Sequence, residues 1–395
     1  MSIEPEQKIN LLVLASHPIQ YQTPFYKLLA KQEEINLKVL FCSDWGLKEY
    51  RDKGFGKKIK WDTHLLDGYK YGFLPNISPF PNPSTFWGLI NPKIIEKLKT
   101  ESHNILWIHG WAHCTNWLAI YAAKKYNIPV LLRSETNLLP KLPLWKSIIK
   151  KKILSGLFNK LNGFLAIGKY NEDFYKNYGV PEEKIFSVPY VVNNDFFISK
   201  AQELISKKEE LKKKFNIPLN CPVILYSGKL IDAKQPILLL KAYKEILKNN
   251  NAILVFLGDG ALREELKSYA NNLQNVYFMG FRNQTELPEF YTIADIFVLP
   301  SKHEPWGLVV NEAMCFSLPI IISDKVGASG DLVKEGVNGF VFPHNDLNRL
   351  VENLNTLVSD ADLRIEMGTK SFEMISQWSY KEGVEGVLRC LKSHS

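Results

Sequence analysis

A chain of 395 residues, 46% hydrophobic and 23% charged, can bury proper cores; this excludes a disordered segment and suits two domains better than one. The net charge of +8, from 49 basic and 41 acidic residues, is too thin for a nucleic-acid binder and biases the chain toward anionic ligands or membrane surfaces. Its five cysteines are odd in number, scattered and without Cys-x-x-Cys spacing, so they indicate neither a disulfide framework nor a zinc site.

The polar, acidic start from Met1 to Asn10 argues against a signal peptide, and no apolar run is long enough to cross a bilayer. The expectation is therefore a protein of the cytosol or of the inner face of a membrane. Strand-like runs follow at Ile9–Ala15, Leu37–Cys42, Ile105–Ile108, Val130–Leu132, Phe164–Ile167 and Ile185–Val188. Helical patterns lie between most of them, at Thr23–Lys31, Pro92–Lys99 and Thr115–Lys125. A second series has strands at Val223–Tyr226, Ala252–Leu257, Val276–Met279, Ile296–Leu299 and Pro319–Ile322. Its helices are expected at Pro236–Leu247, Leu262–Ala270, Thr285–Tyr291 and Gly307–Cys315. Short β-rich runs separated by helices predict parallel sheets covered on both faces, so the fold class is α/β with two doubly wound domains. The boundary is expected between Asn193 and Ser206, where the sequence turns Lys/Glu-rich. Two such domains imply a cleft at the carboxyl ends of their sheets, where open α/β sheets bind ligands.

The segment from Leu299 to Met314 carries the most chemistry. It leaves a strand and enters a helix near Gly307, and a fresh helix start offers unpaired amides and partial positive charge to a phosphate. Gly307 lets a ligand come close to the backbone. Glu304 precedes the helix and Glu312 lies more than a turn inside it, about 12 Å apart if all were helical. That spacing fits a nucleotide-sugar with sugar hydroxyls at one carboxylate and ribose hydroxyls at the other. The plain alternative makes Glu304 a first-turn charge and Glu312 a solvated helix residue. Lys229 and Lys234 follow a predicted strand end, where two cations can neutralise a diphosphate and the charge on a departing group.

The order Glu-Pro-Trp-Gly-Leu-x-x-x-Glu-Ala-Met from Glu304, then Leu-Pro-Ile-Ile, Val-Gly-Ala-Ser-Gly-Asp-Leu-Val and Gly-Val-Asn-Gly-Phe-Val, resembles family four of the retaining glycosyltransferases. Tyr226-Ser-Gly-Lys-Leu with Lys234, Leu257-Gly-Asp-Gly and Val276-Tyr-Phe-Met-Gly-Phe stand in the matching order, so the resemblance covers nearly all of residues 220 to 345. It implies a GT-B fold, two Rossmann-like domains facing across a cleft. The acceptor-side domain would span 1–195, completed by a C-terminal helix at about 375–395, and the nucleotide-sugar domain 196–374. It also implies retaining, metal-independent transfer from a nucleoside-diphosphate sugar to a glycan, lipid-linked or small-molecule acceptor, without a cofactor, in surface polysaccharide or glycolipid biosynthesis. The donor phosphate would itself help take the acceptor proton on the face that the leaving group departs from.

On this resemblance Glu304 orients the sugar, Glu312 the ribose, and Lys229 and Lys234 the leaving group. Gly228 lies beside Lys229 on the donor side. The main chain of Trp306, Gly307, Leu308 and Val309 meets the phosphates and sugar, and Arg282 lies in the base-binding loop. The family commonly has Arg where Lys229 stands, so charge is kept and the bidentate fork is lost. His109, at the tip of Ile105-Leu-Trp-Ile-His, matches a family histidine near the donor sugar; the alternative is a structural, hydrogen-bonded histidine. A metal at His109 and His113 lacks a third ligand in the sequence.

The first loop, Ala15-Ser-His-Pro-Ile-Gln-Tyr-Gln-Thr-Pro-Phe, has no glycine where many family members carry a glycine-rich turn. Either His17 and Gln20 make polar contacts on the acceptor side, or the backbone approaches differently. Thr23 before Pro24 reads as a helix N-cap. The aromatic stretch from Gly54 to Trp87 is either an acceptor loop or a satellite cluster under a long loop. Residues 144–160 read as a basic amphipathic helix, which either rests on anionic lipid or packs on the core with a solvated basic face. A sugar-nucleotide epimerase, a phosphorylase of the same fold, and an inactive glycan- or lipid-binding protein are the competing functions. No pyridoxal-binding lysine context is present for a phosphorylase.

Overall fold

The computed structural model describes residues 8–52, 54–139 and 143–394, so most of the leader argument at Met1–Asn10 lies outside the described residues. The run that opens the chain becomes a central strand because, Asn10 apart, it has nothing to offer water: five of its seven residues are buried. Strands of this kind recur in two separate sheets.

In chain order the strands are β1 (Ile9–Ala15), β2 (Ile35–Phe41), β3 (Tyr50–Asp52), β4 (Lys57–Ile59), β5 (Lys70–Phe73), β6 (Ile105–His109), β7 (Val130–Arg133), β8 (Gly163–Ala166) and β9 (Ile185–Ser187). They continue as β10 (Val223–Ser227), β11 (Ile253–Leu257), β12 (Val276–Gly280), β13 (Ile296–Leu299), β14 (Ile320–Ser323) and β15 (Gly339–Phe342). The first sheet runs β5-β2-β1-β6-β7-β8-β9 and the second β12-β11-β10-β13-β14-β15. Adjacent strands are parallel in both sheets. Both therefore have Rossmann-type order, reversing direction between β1 and β6 and between β10 and β13. At such a switch point the loops leave to opposite faces and open a crevice at the strands' carboxyl ends.

The first unit comprises the chain through Tyr50, Thr63–Tyr190 and the segment from Tyr380 onward; the second comprises Arg51–Asp62 and Val191–Ser379. This differs from the sequence division in one respect with consequences. Residues 51–52 and 54–62, which belong by chain order to the first half, pack as part of the second unit. The C-terminal helix expected at about 375–395 is Tyr380–Lys392, and a separate helix, Ala361–Ile375, ends before it. The break holds Trp378, which stacks on Trp306 at 5.6 Å. The last helix packs on β8, β9 and the helix Thr23–Leu29. A Cβ at Gly386 would stand 2.0 Å from the Ser187 carbonyl, so the close approach needs glycine. Thr23 is the first helical residue rather than the cap, with Gln22 in the cap position and Pro24 in the first turn. Strands β3, β4 and β5, three or four residues long and partly polar, and β15, only four residues long, are additions to the expected set.

Candidate functional site

In the second unit the switch point gathers most of the sequence-predicted donor residues. Strand β10 ends at Ser227, and Gly228, Lys229 and Lys234 lie in the loop to the helix Pro236–Ile246. Strand β13 ends at Leu299, and Glu304, Pro305 and Trp306 precede the helix Leu308–Cys315. Gly307 caps that helix at φ +97°, a left-handed conformation that disfavours side chains. No side chain caps the helix start. Its first amides thus lack an intrahelical partner, and the dipole's positive end points toward the loop. The Glu304 segment is held by a parallel bridge to Val326, its amide donating to the Lys325 carbonyl at 3.1 Å.

Glu304 and Lys234 are ion-paired, with side chains only 17% and 16% exposed. Lys229 Nζ lies 3.0 and 3.1 Å from the two carboxylate oxygens of Asp52 and 4.9 Å from the Phe55 ring centre. Beneath them the buried Tyr226 hydroxyl donates to the Lys229 carbonyl at 2.8 Å. Burial, and then the Glu304 charge, pushes that phenol well above its ordinary range. Both predicted cations thus stand at the switch point, each on a carboxylate.

The remaining residues predicted for the donor are placed differently from one another. Glu312 is fully buried, not solvated, and accepts from the Tyr291 hydroxyl at 2.7 Å. The Trp306 side chain is internal as well, its indole donating to Asn311 at 3.0 Å, so this residue faces the loop through its main chain alone. Arg282, in the loop after β12, is engaged by Glu286 at 3.0 Å and by the Met279 carbonyl, and its guanidinium lies over Phe290.

In the first unit the equivalent switch point holds His17 after β1 and His109 at the end of β6. His109 Nε2 is 2.8 Å from the Tyr26 hydroxyl, which is also within 3.2 Å of Gln22 Oε1. Burial, followed by the Arg133 charge, lowers His109 to about 3, so it is neutral at ordinary pH. His17 is lowered to about 4 by burial, with His113 second, and Ser16 lies 3.0 Å from its Nδ1. His113 itself turns to the Pro83 carbonyl at 2.7 Å. Gln20 is 7% exposed and its Oε1 has no hydrogen-bond partner, the kind of buried acceptor that calls for a ligand or water.

Sequence reasoning missed four residues here. Tyr26 meets His109 Nε2 with Gln22 behind it, and Arg133, the register neighbour of His109 on β7, is buried beneath the rings of Phe25 and Tyr190. A lone arginine ending the apolar run Val-Leu-Leu was the readable signal for that cation. Asp52 had none, since its partner lies 177 residues away.

The aromatic stretch divides in two. Phe55 and Trp61 pack on Phe281, whereas Phe80 and Trp87 are 83% and 67% exposed. On the helix Leu144–Phe158 only Leu154, Leu157 and Phe158 are buried. Leu144, Trp145, Ile148, Ile149 and Ile153 are all exposed, so its apolar residues serve the core only at one end. Among the described residues no helix is long and apolar enough to cross a membrane.

Residues 207–374 match the family of glycosyl transferases group 1. The chain is 32% identical over 179 residues to an uncharacterised glycosyltransferase of Methanocaldococcus jannaschii, covering 44% of this chain and 45% of that protein. It is 28% identical over 284 residues to the UDP-Gal:alpha-D-GlcNAc-diphosphoundecaprenol alpha-1,3-galactosyltransferase of Escherichia coli, covering 68% and 70%. The chain spans about half the length, or less, of the first curated relatives that it matches. In structure it is similar to a glycosyltransferase from Rickettsia africae, with a TM-score of 0.75 at 17% identity over 98% of both chains, which shows the shared two-unit fold.

Proposed function

We propose that this GT-B-fold chain, whose residues 207–374 match the glycosyl transferases group 1 family, transfers a sugar, with retention, from a nucleoside-diphosphate donor. The observation that carries the reading is the convergence of Lys229, Lys234, Glu304 and the uncapped helix start after Gly307 on the β10/β13 switch point. Two cations and a helix terminus suit a diphosphate, and one carboxylate beside them suits sugar hydroxyls. The bond from the anomeric carbon to the phosphate oxygen breaks, and a bond to the acceptor oxygen forms on the same face. The acceptor proton passes to the departing diphosphate, whose negative charge the lysines and helix amides stabilise.

Glu304, held by Lys234, orients the donor sugar. Glu312 serves the ribose from within the helix, where Tyr291 fixes its carboxylate. Arg282 borders the base. His109, neutral and held at Nε2 by Tyr26, offers a hydrogen bond to the sugar. Gln20 and His17 serve the acceptor. No metal or cofactor enters this scheme.

The acceptor class proposed is a lipid-linked or membrane-borne glycan. The exposed Trp145, Ile148 and Ile149 stand among Lys146, Lys150, Lys151 and Lys152, a composition suited to an anionic bilayer surface. This would keep the protein at the inner face of the membrane.

The test is a thermal-shift panel of UDP-, GDP- and ADP-sugars. A donor at 100 times its Kd should stabilise the native state by about 2.7 kcal/mol. A raised Tm with one base identifies the donor, and no shift with any would overturn the reading.

A further inference from the structure

Residues 51–52 and 54–62 lie along the carboxyl-end rim of the second sheet and touch three consecutive loops. After β10, Lys229 is paired with Asp52. After β11, Asp259 is paired with Lys57 at 2.8 Å. After β12, Phe281 packs edge-on against Phe55 at 4.8 Å, and Asn283 donates to the Lys60 carbonyl at 2.9 Å. Farther along, the Thr285 amide and hydroxyl both donate to Asp62. These contacts follow the neighbouring strands β10, β11 and β12 in their spatial order.

The chemistry of the first contact is specific. The Asp52 carboxylate accepts from the amides of Gly54 and Phe55 at 2.7 and 2.9 Å and meets Lys229 with both oxygens. Burial pushes this carboxyl up, but the Phe55 amide and Lys229 outweigh it, so the group lies below the usual carboxylate range. It is therefore a full negative charge on one of the two cations that a diphosphate would use. The other cation already carries Glu304.

We infer that Asp52 is an internal counter-anion that competes with the donor's diphosphate for Lys229 and so sets donor affinity. The inference rests on the donor-site reading above. A diphosphate takes Lys229 only as Asp52 releases it, and the segment's remaining contacts to Asp259, Asn283 and Thr285 keep Asp52 at hand to return. Product diphosphate is expelled by the same exchange. Lys229 is thus never left as a bare cation.

The experiment measures binding of inorganic pyrophosphate and of UDP to the full chain and to Asp52→Asn by calorimetry at fixed ionic strength. Asparagine keeps an oxygen for the Gly54 and Phe55 amides while removing the charge, and circular dichroism checks its fold. The expected result is tighter binding of both ligands to Asp52→Asn, by about fivefold, with the difference shrinking as salt rises. Trypsin cleavage after Lys57 and Lys58 in the unchanged chain should also quicken on adding pyrophosphate. Equal or weaker binding to Asp52→Asn, or slower cleavage with pyrophosphate, overturns the inference, because the segment would then support the ligand. If pyrophosphate binds in the expected order and no nucleotide or nucleotide-sugar binds, the counter-anion stands and the nucleotide-donor reading falls. If neither ligand binds either protein, both fall.

Discussion

Lys234 and Glu304 form an ion pair that joins the loop after β10 to the loop after β13, across the switch point of the second sheet. With both side chains more than four-fifths buried, neither charge is well served by water once its partner is lost. Glu304→Gln keeps the shape and removes the charge. It should lower turnover about 100-fold, the scale for losing one preorganised electrostatic contact. Lys234→Ala should cost a similar factor, and the double variant less than the product of the two, since they share one interaction. Release of nucleoside diphosphate with the donor found in the thermal panel is the measurement; strictly multiplicative losses would show that the pair does not act as a unit.

His109 and His17 are both held below the ordinary histidine value, at about 3 and about 4, by burial first and by Arg133 and His113, respectively, second. The unfolded chain takes up protons at these positions below about pH 6.5 while the folded chain does not. Their contribution to stability is therefore complete above that pH and is lost progressively as pH falls toward 4 and then 3. The Tm should drop between pH 7 and pH 5, and less steeply in His109→Gln. Because His109 is neutral throughout, the activity profile should have no acid limb near pH 6.5 that disappears in His109→Gln.

Tyr291 donates to the fully buried Glu312 at 2.7 Å. Tyr291→Phe leaves a buried carboxylate short of one donor and should destabilise the second unit by about 2 kcal/mol. Urea unfolding followed by circular dichroism reads this directly. A change below about 0.5 kcal/mol, the level of an ordinary surface substitution, would show that Glu312 does not depend on this phenol.

Trp145 and Ile149 are 61% and 51% exposed beside Lys146 and Lys150. Replacing both apolar residues by alanine should reduce co-sedimentation with vesicles containing phosphatidylglycerol several-fold, at a small cost in Tm. Changing Lys151 and Lys152 to Gln should weaken binding by about 1 kcal/mol per residue, an effect that salt abolishes. Equal binding to neutral and anionic vesicles would remove the electrostatic part of this surface.

Much of the candidate site was legible because the residues that compose it are close in the chain. Glu304, Gly307 and the helix start lie within a few residues of one another, and Lys229 and Lys234 sit in one strand-to-helix loop. Arg282 was legible only in position: its guanidinium is taken up by Glu286, four residues on, and by the Met279 carbonyl. The boundary strands β5 and β15 escaped because edge strands are short and need no continuous apolar run.

The sequence by itself determined two α/β units and the loops that carry their charged residues, since apolar periodicity and glycine placement act over a few residues. Only the tertiary structure decided what those charges face. Chain folding brought Asp52 onto Lys229, Tyr26 onto His109 and Tyr291 onto Glu312, across separations of 177, 83 and 21 residues. Such pairings depend on which strands become neighbours in the sheet, and local propensity carries no record of that order.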